Sequence, residues 1–140
     1  MFTSKIQPRF SDLDGLGHVN NTKVPVWFEE ARAPFIQFFN PNYDLKIWDI
    51  IIAHISVDFV EQIYLHNPVE IKSWVQKIGN SSFNLYHEAW QNNELKAKGN
   101  DVIVHFNFQE KKSIIIPDNI RFKLEEHLVE TPIKFKTCNC

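Results

Sequence analysis

The sequence predicts an α+β domain in which one antiparallel sheet packs against one long helix. Residues 24–39 hold apolar side chains at helical spacing, whereas four later stretches alternate at period two. Almost no helical signal separates those four stretches. Helix and strands are therefore segregated along the chain, and segregated elements give an α+β layer packing.

Taken in order, residues 5–10 read as a short strand, ended by the Asp and Gly residues of the following loop. From Val24 the period becomes helical: Val24, Trp27, Phe28, Ala31, Phe35, Phe38 and Phe39 share one face, with Glu29, Glu30, Arg32 and Gln37 largely opposite. Asn21 or Thr22 is the expected cap. Pro25 fits the first turn, but Pro34 removes an interior hydrogen bond and should bend or end the helix. Asn40-Pro41-Asn42 closes the segment in either case.

The strands follow. Residues 50–63 form the first candidate, with Ala53, Ile55, Val57 and Phe59 alternating against His54, Ser56 and Asp58. Residues 69–78 leave Trp74 facing away from Val69, Ile71 and Val75, and residues 82–90 place Phe83, Leu85 and Ala89 together. In residues 95–108 the apolar phase shifts by one between Leu95/Ala97/Gly99 and Val102/Val104/Phe106/Phe108, which predicts a β-bulge beside Gly99. Turns are expected at His66-Asn67-Pro68, Gly79-Asn80 and Asn92-Asn93. Pro117-Asp118 then starts a short helix with Ile120, Leu124 and Leu128 four apart. A sheet wrapped around one engulfed helix accounts for the breadth of the aromatic stripe.

The chain of 140 residues reads as a single domain, 1–140, without repeat or linker. Its twelve Phe and four Trp supply a substantial core or a lined apolar pocket. A formal charge of −2 gives no whole-protein field for nucleic acid, although a local basic patch able to hold a phosphate is compatible with that balance. No stretch approaches a membrane span and no apolar signal core opens the chain, so a cytoplasmic protein is expected. Cys138 and Cys140, spaced too closely for an easy disulfide, read as an exposed tail.

Chemistry concentrates in residues 9–32, RFSDLDGLGHVNNTKVPVWFEEAR. Asp12, Asp14, His18, Asn20 and Asn21 stand just ahead of the helix, where unpaired N–H groups and partial positive charge face outward. Read locally, Asp14 makes an Asx-turn, His18 organises the loop, and Asn20 and Asn21 are caps. Glu29 reads as a solvated helix face, Ser81 and Ser82 as turn residues, and the other histidines as ordinary strand, turn and helix positions. No second His or Cys cluster accompanies the loop, so no metal site is expected.

The blocks Asp12-Leu13-Asp14, Gly17-His18-Val19-Asn20-Asn21 and Phe28-Glu29-Glu30-Ala31-Arg32 resemble, in order and without gaps, the hotdog-fold acyl-CoA thioesterases of the 4-hydroxybenzoyl-CoA thioesterase-like family. Further agreement lies in Val57-Asp58-Phe59-Val60, in Gly79-Asn80-Ser81-Ser82-Phe83, in Ala97-x-Gly99 and in Ile116-Pro117, so the resemblance covers nearly the whole chain. It implies an antiparallel sheet wrapped around one long central helix, and hydrolysis of an acyl-CoA to free acid and CoA.

By resemblance, Asp14 is the catalytic base or nucleophile, His18 assists beside it, and the Asn21 backbone N–H polarises the thioester carbonyl. Asn20, Glu29, Ser81 and Ser82 then belong to the substrate-binding set. No cofactor is implied, and the family's homodimers or homotetramers place the site at a subunit interface. Val24, Pro25 and Pro34 depart from the pattern. Leu16 stands where acyl-ACP thioesterases carry a further catalytic Asn, which weighs against an acyl carrier protein substrate without removing it. The spacing Asp14-Gly15-Leu16-Gly17-His18 lacks the Asn and Pro of the enoyl-thioester hydratases on this fold. A non-catalytic acyl-thioester binding protein is the remaining alternative.

Overall fold

The computed structural model describes residues 1–129, so Cys138 and Cys140 lie outside the described residues. The elements are β1 (Phe2–Ile6), α1 (Lys23–Ala31), α2 (Ala33–Ile36), β2 (Ile50–Phe59), β3 (Val69–Ile78), β4 (Ser82–Gln91), β5 (Glu94–Asn107), β6 (Lys112–Ser113) and α3 (Asp118–Glu125). The strands form one antiparallel sheet in the order β1-β3-β4-β5-β2, with β6 pairing β5. The hairpin between β4 and β5 turns on Asn92 and Asn93, both at positive φ, the conformation that Asn tolerates best after Gly.

The expected single long helix is two short ones. α1 stops at Ala31 and α2 resumes at Ala33, with Arg32 in the break. Pro34 is the cause: it offers no N–H to the carbonyl one turn back, yet its fixed φ suits the first turn of a new helix. The buried face of α1 is Val24, Trp27, Phe28 and Ala31, and α2 continues it with Phe35 and Ile36. Phe28 approaches the sheet at Gly99, where an added Cβ would stand 2.8 Å from its ring.

Two strand ends and the position of one bulge also differ from expectation. β1 ends at Ile6, before Gln7-Pro8, and Phe10–Asp12 forms a 3-10 turn instead of continuing the strand. β2 stops at Phe59, short of residue 63. The bulge in β5 is at Lys96, not beside Gly99: Ala89 pairs Ala97 and Trp90 pairs Leu95, leaving Lys96 as the extra residue. Its carbonyl accepts the backbone N–H groups of both Val60 and Glu61, at 2.9 and 3.1 Å. Beyond it Ala97, Gly99, Asp101, Ile103 and His105 stay in one buried phase. The apparent phase shift arose because two of those core-facing positions are polar.

Two apolar clusters make the core. One joins Val24, Trp27 and Phe28 of α1 to Ile71, Ala89 and Ala97. The other joins Phe35 and Ile36 of α2 to Val75, Leu85, Ile103 and, from α3, Ile120 and Leu124. Between them the inward positions of three neighbouring strands are Ser73, His87 and Asp101, and the helix break supplies Arg32; all four are buried. Among the described residues no helix is long and apolar enough to cross a membrane.

Candidate active site

The loop after β1 closes on itself before it enters α1. Leu13 and Val19 form an isolated antiparallel bridge, and the Asp14 N–H donates to the His18 carbonyl at 2.8 Å. Gly17 completes the turn at φ +84°, a conformation that a side chain would strain. A further bond inside the loop runs from the Asn20 N–H to the Asp12 carbonyl, and the Val19 N–H ties the loop outward to the Ile63 carbonyl, both at 2.8 Å. The outward bond fixes the loop to the segment that leads into β3.

Inside this frame the Asp14 carboxylate is oriented but not consumed. Its Oδ1 accepts the Leu16 N–H at 2.8 Å and the His18 N–H at 3.3 Å. Among the described residues Oδ2 has no hydrogen-bond partner, and the side chain is half-buried. The His18 ring does not bond the carboxylate; it meets the Tyr64 ring edge-on at 5.4 Å. Tyr64 is in turn fixed by Gln91, which accepts its N–H at 3.0 Å and donates to its carbonyl at 2.7 Å.

At the helix start, Asn20 does the capping. Its Oδ1 accepts the Thr22 N–H and hydroxyl at 3.0 and 2.9 Å, and its carbonyl accepts the Lys23 N–H at 2.9 Å. Thr22 holds the cap position, but its hydroxyl accepts none of the helix N–H groups. Among the described residues nothing accepts the Asn21 N–H, and Asn21 is exposed.

The remaining sequence-derived candidates are not at this loop. Glu29, exposed on α1, lines a cleft of about 470 Å³ with Arg32, Tyr43, Trp48 and Ile50. Burial raises the pKa of Tyr43, whose hydroxyl donates to the Ala33 carbonyl. Ser81 sits in the turn between β3 and β4 and Ser82 opens β4; the Ser81 carbonyl accepts the His105 N–H and the Ser82 carbonyl the Gly79 N–H. That turn is at the opposite end of β3, a ten-residue strand, so roughly 30 Å of sheet separates it from Asp14 within one chain.

Sequence reasoning missed a buried chain of polar groups. Ser73 Oγ lies 2.6 Å from His87 Nδ1, His87 Nε2 lies 2.6 Å from Asp101 Oδ2, and Arg32 Nη1 lies 3.2 Å from the same oxygen. A carboxylate only accepts, so Nε2 carries the ring proton; in the neutral ring Nδ1 accepts the Ser73 hydroxyl. Phe28 stacks on the His87 ring at 5.0 Å. The order resembles a hydrolytic triad, but Ser73 is 1% exposed, which leaves the group tying three strands to the helix break. The signal in the sequence was its spacing: the three residues are 14 apart, one per strand, each at a core-facing position. His105, also passed over, pairs with Asp49 at 2.8 Å. Among the described residues no group of three or more His, Cys, Asp or Glu could hold a metal ion.

A curled antiparallel sheet over short helices, with a carboxylate loop at the helix start, defines a thioesterase-type domain of the hotdog kind. The chain belongs to the thioesterase-like superfamily, whose family model matches residues 8–124. It is similar to the solved structure of a predicted thioesterase from Bacillus stearothermophilus, at 43% identity and a TM-score of 0.88, covering 93% of this chain and 98% of that one. It is also similar to a thioesterase from Thermus thermophilus solved with coenzyme A and Zn, at 30% identity and a TM-score of 0.77, covering 89% and 91% of the two chains. A curated relative, the uncharacterized protein YsmA of Bacillus subtilis (strain 168), is 28% identical over 86 residues. That match spans 61% of this chain and 58% of the relative. Thioester hydrolysis is therefore the general activity to which this chain is related.

Proposed function

We propose that the protein is an acyl-CoA thioesterase in which Asp14 does the central chemistry. The observation that carries the reading is the state of that carboxylate: Oδ1 is pinned by two backbone N–H groups while Oδ2 has no partner among the described residues. A carboxylate held in this way can deprotonate a water that attacks the thioester carbon. Alternatively it attacks that carbon itself, giving an acyl anhydride that water then cleaves. In either route the C–S bond breaks and the thiolate leaves with little need of a proton donor.

The carbonyl oxygen needs a donor as charge develops on it. Asn20 occupies the Thr22 and Lys23 N–H groups, so the neighbouring Asn21 N–H is the one left for substrate. His18, braced on Tyr64, shapes the wall of the loop. The CoA complex of the Thermus thermophilus relative supports CoA as the carrier.

Glu29, Ser81 and Ser82 enter through a second chain. β2 ends the sheet with a ten-residue strand that leaves Ile52, Ile55 and Phe59 exposed. An apolar edge of this length is suited to pairing with another copy. Antiparallel pairing of two such edges would bring the Ser81–Ser82 end of one sheet towards the Asp14 end of the other. That supports a homodimer, or a tetramer built of two dimers, with sites between subunits. A soluble cytoplasmic location is in keeping with such a substrate.

The test is release of free thiol from short, long and aromatic acyl-CoA substrates. Turnover on any of them, saturating with substrate, is expected. A protein that binds these thioesters but releases no thiol would be the non-catalytic alternative, and turnover confined to acyl carrier protein thioesters would move the carrier assignment.

A further inference from the structure

An open cleft of about 390 Å³ lies between β1 and the first turns of α1, immediately upstream of the Asp14 loop. Three cations line it, Lys5, Arg9 and Lys23, against two carboxylates, Asp12 and Glu30, with Trp27 at its base. The lining thus carries one more cation than carboxylate, on a chain whose formal charge is −2.

The cleft is organised by a buried carboxylate. Asp12 is 2% exposed, and its Oδ2 accepts the Arg9 N–H at 2.8 Å. Its Oδ1 gathers both neighbouring cations, Arg9 Nη2 at 3.4 Å and Lys23 Nζ at 4.0 Å. One carboxylate cannot neutralise two cations, and the Arg9 side chain remains 75% exposed. Lys5 has no ion-pair partner among the described residues.

We propose that this cleft is a phosphate subsite for the carrier of the thioester, the proposal resting on the thioesterase reading given above. Position and chemistry agree. The 3-10 turn holding Asp12 is followed, after Leu13, by Asp14, so the cleft lies on the upstream side of the loop and outside the reacting centre. A pantetheine arm places the carrier's phosphates well away from the thioester, beyond the loop. Coenzyme A offers an adenosine 3′-phosphate and a diphosphate there, and a carrier protein a single phosphodiester; both present the same anionic oxygen to the cations.

The experiment compares wild type, Lys5→Glu and Arg9→Gln on three thioesters of one acyl group: acyl-CoA, the 4′-phosphopantetheine thioester and the N-acetylcysteamine thioester, which has no phosphate. Both variants are expected to lower kcat/KM on acyl-CoA by about fivefold relative to the N-acetylcysteamine thioester, through KM. If the loss persists on the phosphopantetheine thioester, the cleft holds the 4′-phosphate common to both carriers. If it is confined to acyl-CoA, the cleft holds the nucleotide. Equal losses on all three thioesters, or no loss on any, would overturn the subsite. Arg9 also supports Asp12, so Lys5→Glu, which breaks no ion pair, carries the test should Arg9→Gln fail to fold. Should wild type hydrolyse none of the three, the thioesterase reading itself has failed. Calorimetric titration with adenosine 3′,5′-bisphosphate then tests the cleft alone: weaker binding to Lys5→Glu than to wild type supports it, and equal or absent binding refutes it.

Discussion

Arg32 Nη1 meets Asp101 Oδ2 at 3.2 Å in the interior, at the point where the helix breaks between α1 and α2. Both side chains are buried, and His87 shares the same carboxylate oxygen. Removing one partner leaves a charge without compensation in a medium of low polarity. Arg32→Met should therefore lower unfolding free energy by about 3–5 kcal/mol. The double variant Arg32→Met/Asp101→Leu should recover part of that loss. Urea denaturation of the two proteins checks the pair; a double variant as unstable as the single one would show that packing, not charge, sets the cost.

Gly99 is the second point of close contact between helix and sheet. A Cβ there would stand 2.8 Å from Phe28 Cε2 and 3.0 Å from the Ser56 carbonyl oxygen. Phe28 is itself stacked on His87 and cannot retreat freely. Gly99→Ala should destabilise by about 1–3 kcal/mol, the usual cost of overpacking. Chemical denaturation reads this directly, and an unchanged midpoint would mean that Phe28 moves aside.

His127 makes stability depend on pH. Burial lowers its pKa below the usual 6.5; the nearby terminal ammonium adds to this, and Glu126 opposes it. The neutral ring stacks on Phe2 at 4.2 Å and its Nδ1 accepts from the Met1 ammonium at 2.7 Å. Since the unfolded chain binds this proton more readily, stability is full above pH 6.5 and declines as pH falls through that value. The decline levels off below the folded-state pKa. Thermal melts from pH 8 to pH 5 should show a shallower fall in Tm for His127→Phe than for wild type.

The exposed edge of β2 gives the proposed assembly a direct test. Ile55 is 51% and Phe59 47% exposed on that strand. Placing Lys at both positions blunts strand pairing without touching the core. Sedimentation should then show a wild-type dimer or tetramer and a smaller species for the double variant. An assembly unchanged by Ile55→Lys/Phe59→Lys would place the interface elsewhere.

Much of the fold was legible because its apolar periods were long. β3, β4 and β5 begin and end within a residue or so of expectation, and α3 starts at Asp118 behind Pro117. What was not legible depends on tertiary burial of polar groups. Asp101 and His105 occupy core positions of β5, so alternation counted from apolar residues slipped onto Val102 and Val104, which are only half-buried. Ser73 and His87 were hidden for the same reason. The helix break was visible in Pro34, but the aromatic stripe running past it argued for continuity. At the site, the closed loop from Leu13 to Val19 was readable from its Gly and Asp residues. The distance of Ser81 and Ser82 from that loop was not, since it depends on which end of the sheet each turn occupies.

Asp14 is the group assigned to act on the thioester, and the measurement that bears on it most directly is thiol release by Asp14→Asn. Asn keeps an oxygen for the Leu16 and His18 N–H groups, so the loop and the melting temperature should be preserved. It can neither take a proton from water nor attack a carbonyl as a carboxylate does. With acyl-CoA turnover established for wild type, kcat in the variant should fall at least about a hundredfold. A folded Asp14→Asn protein that turns over acyl-CoA at the wild-type rate would contradict the assignment.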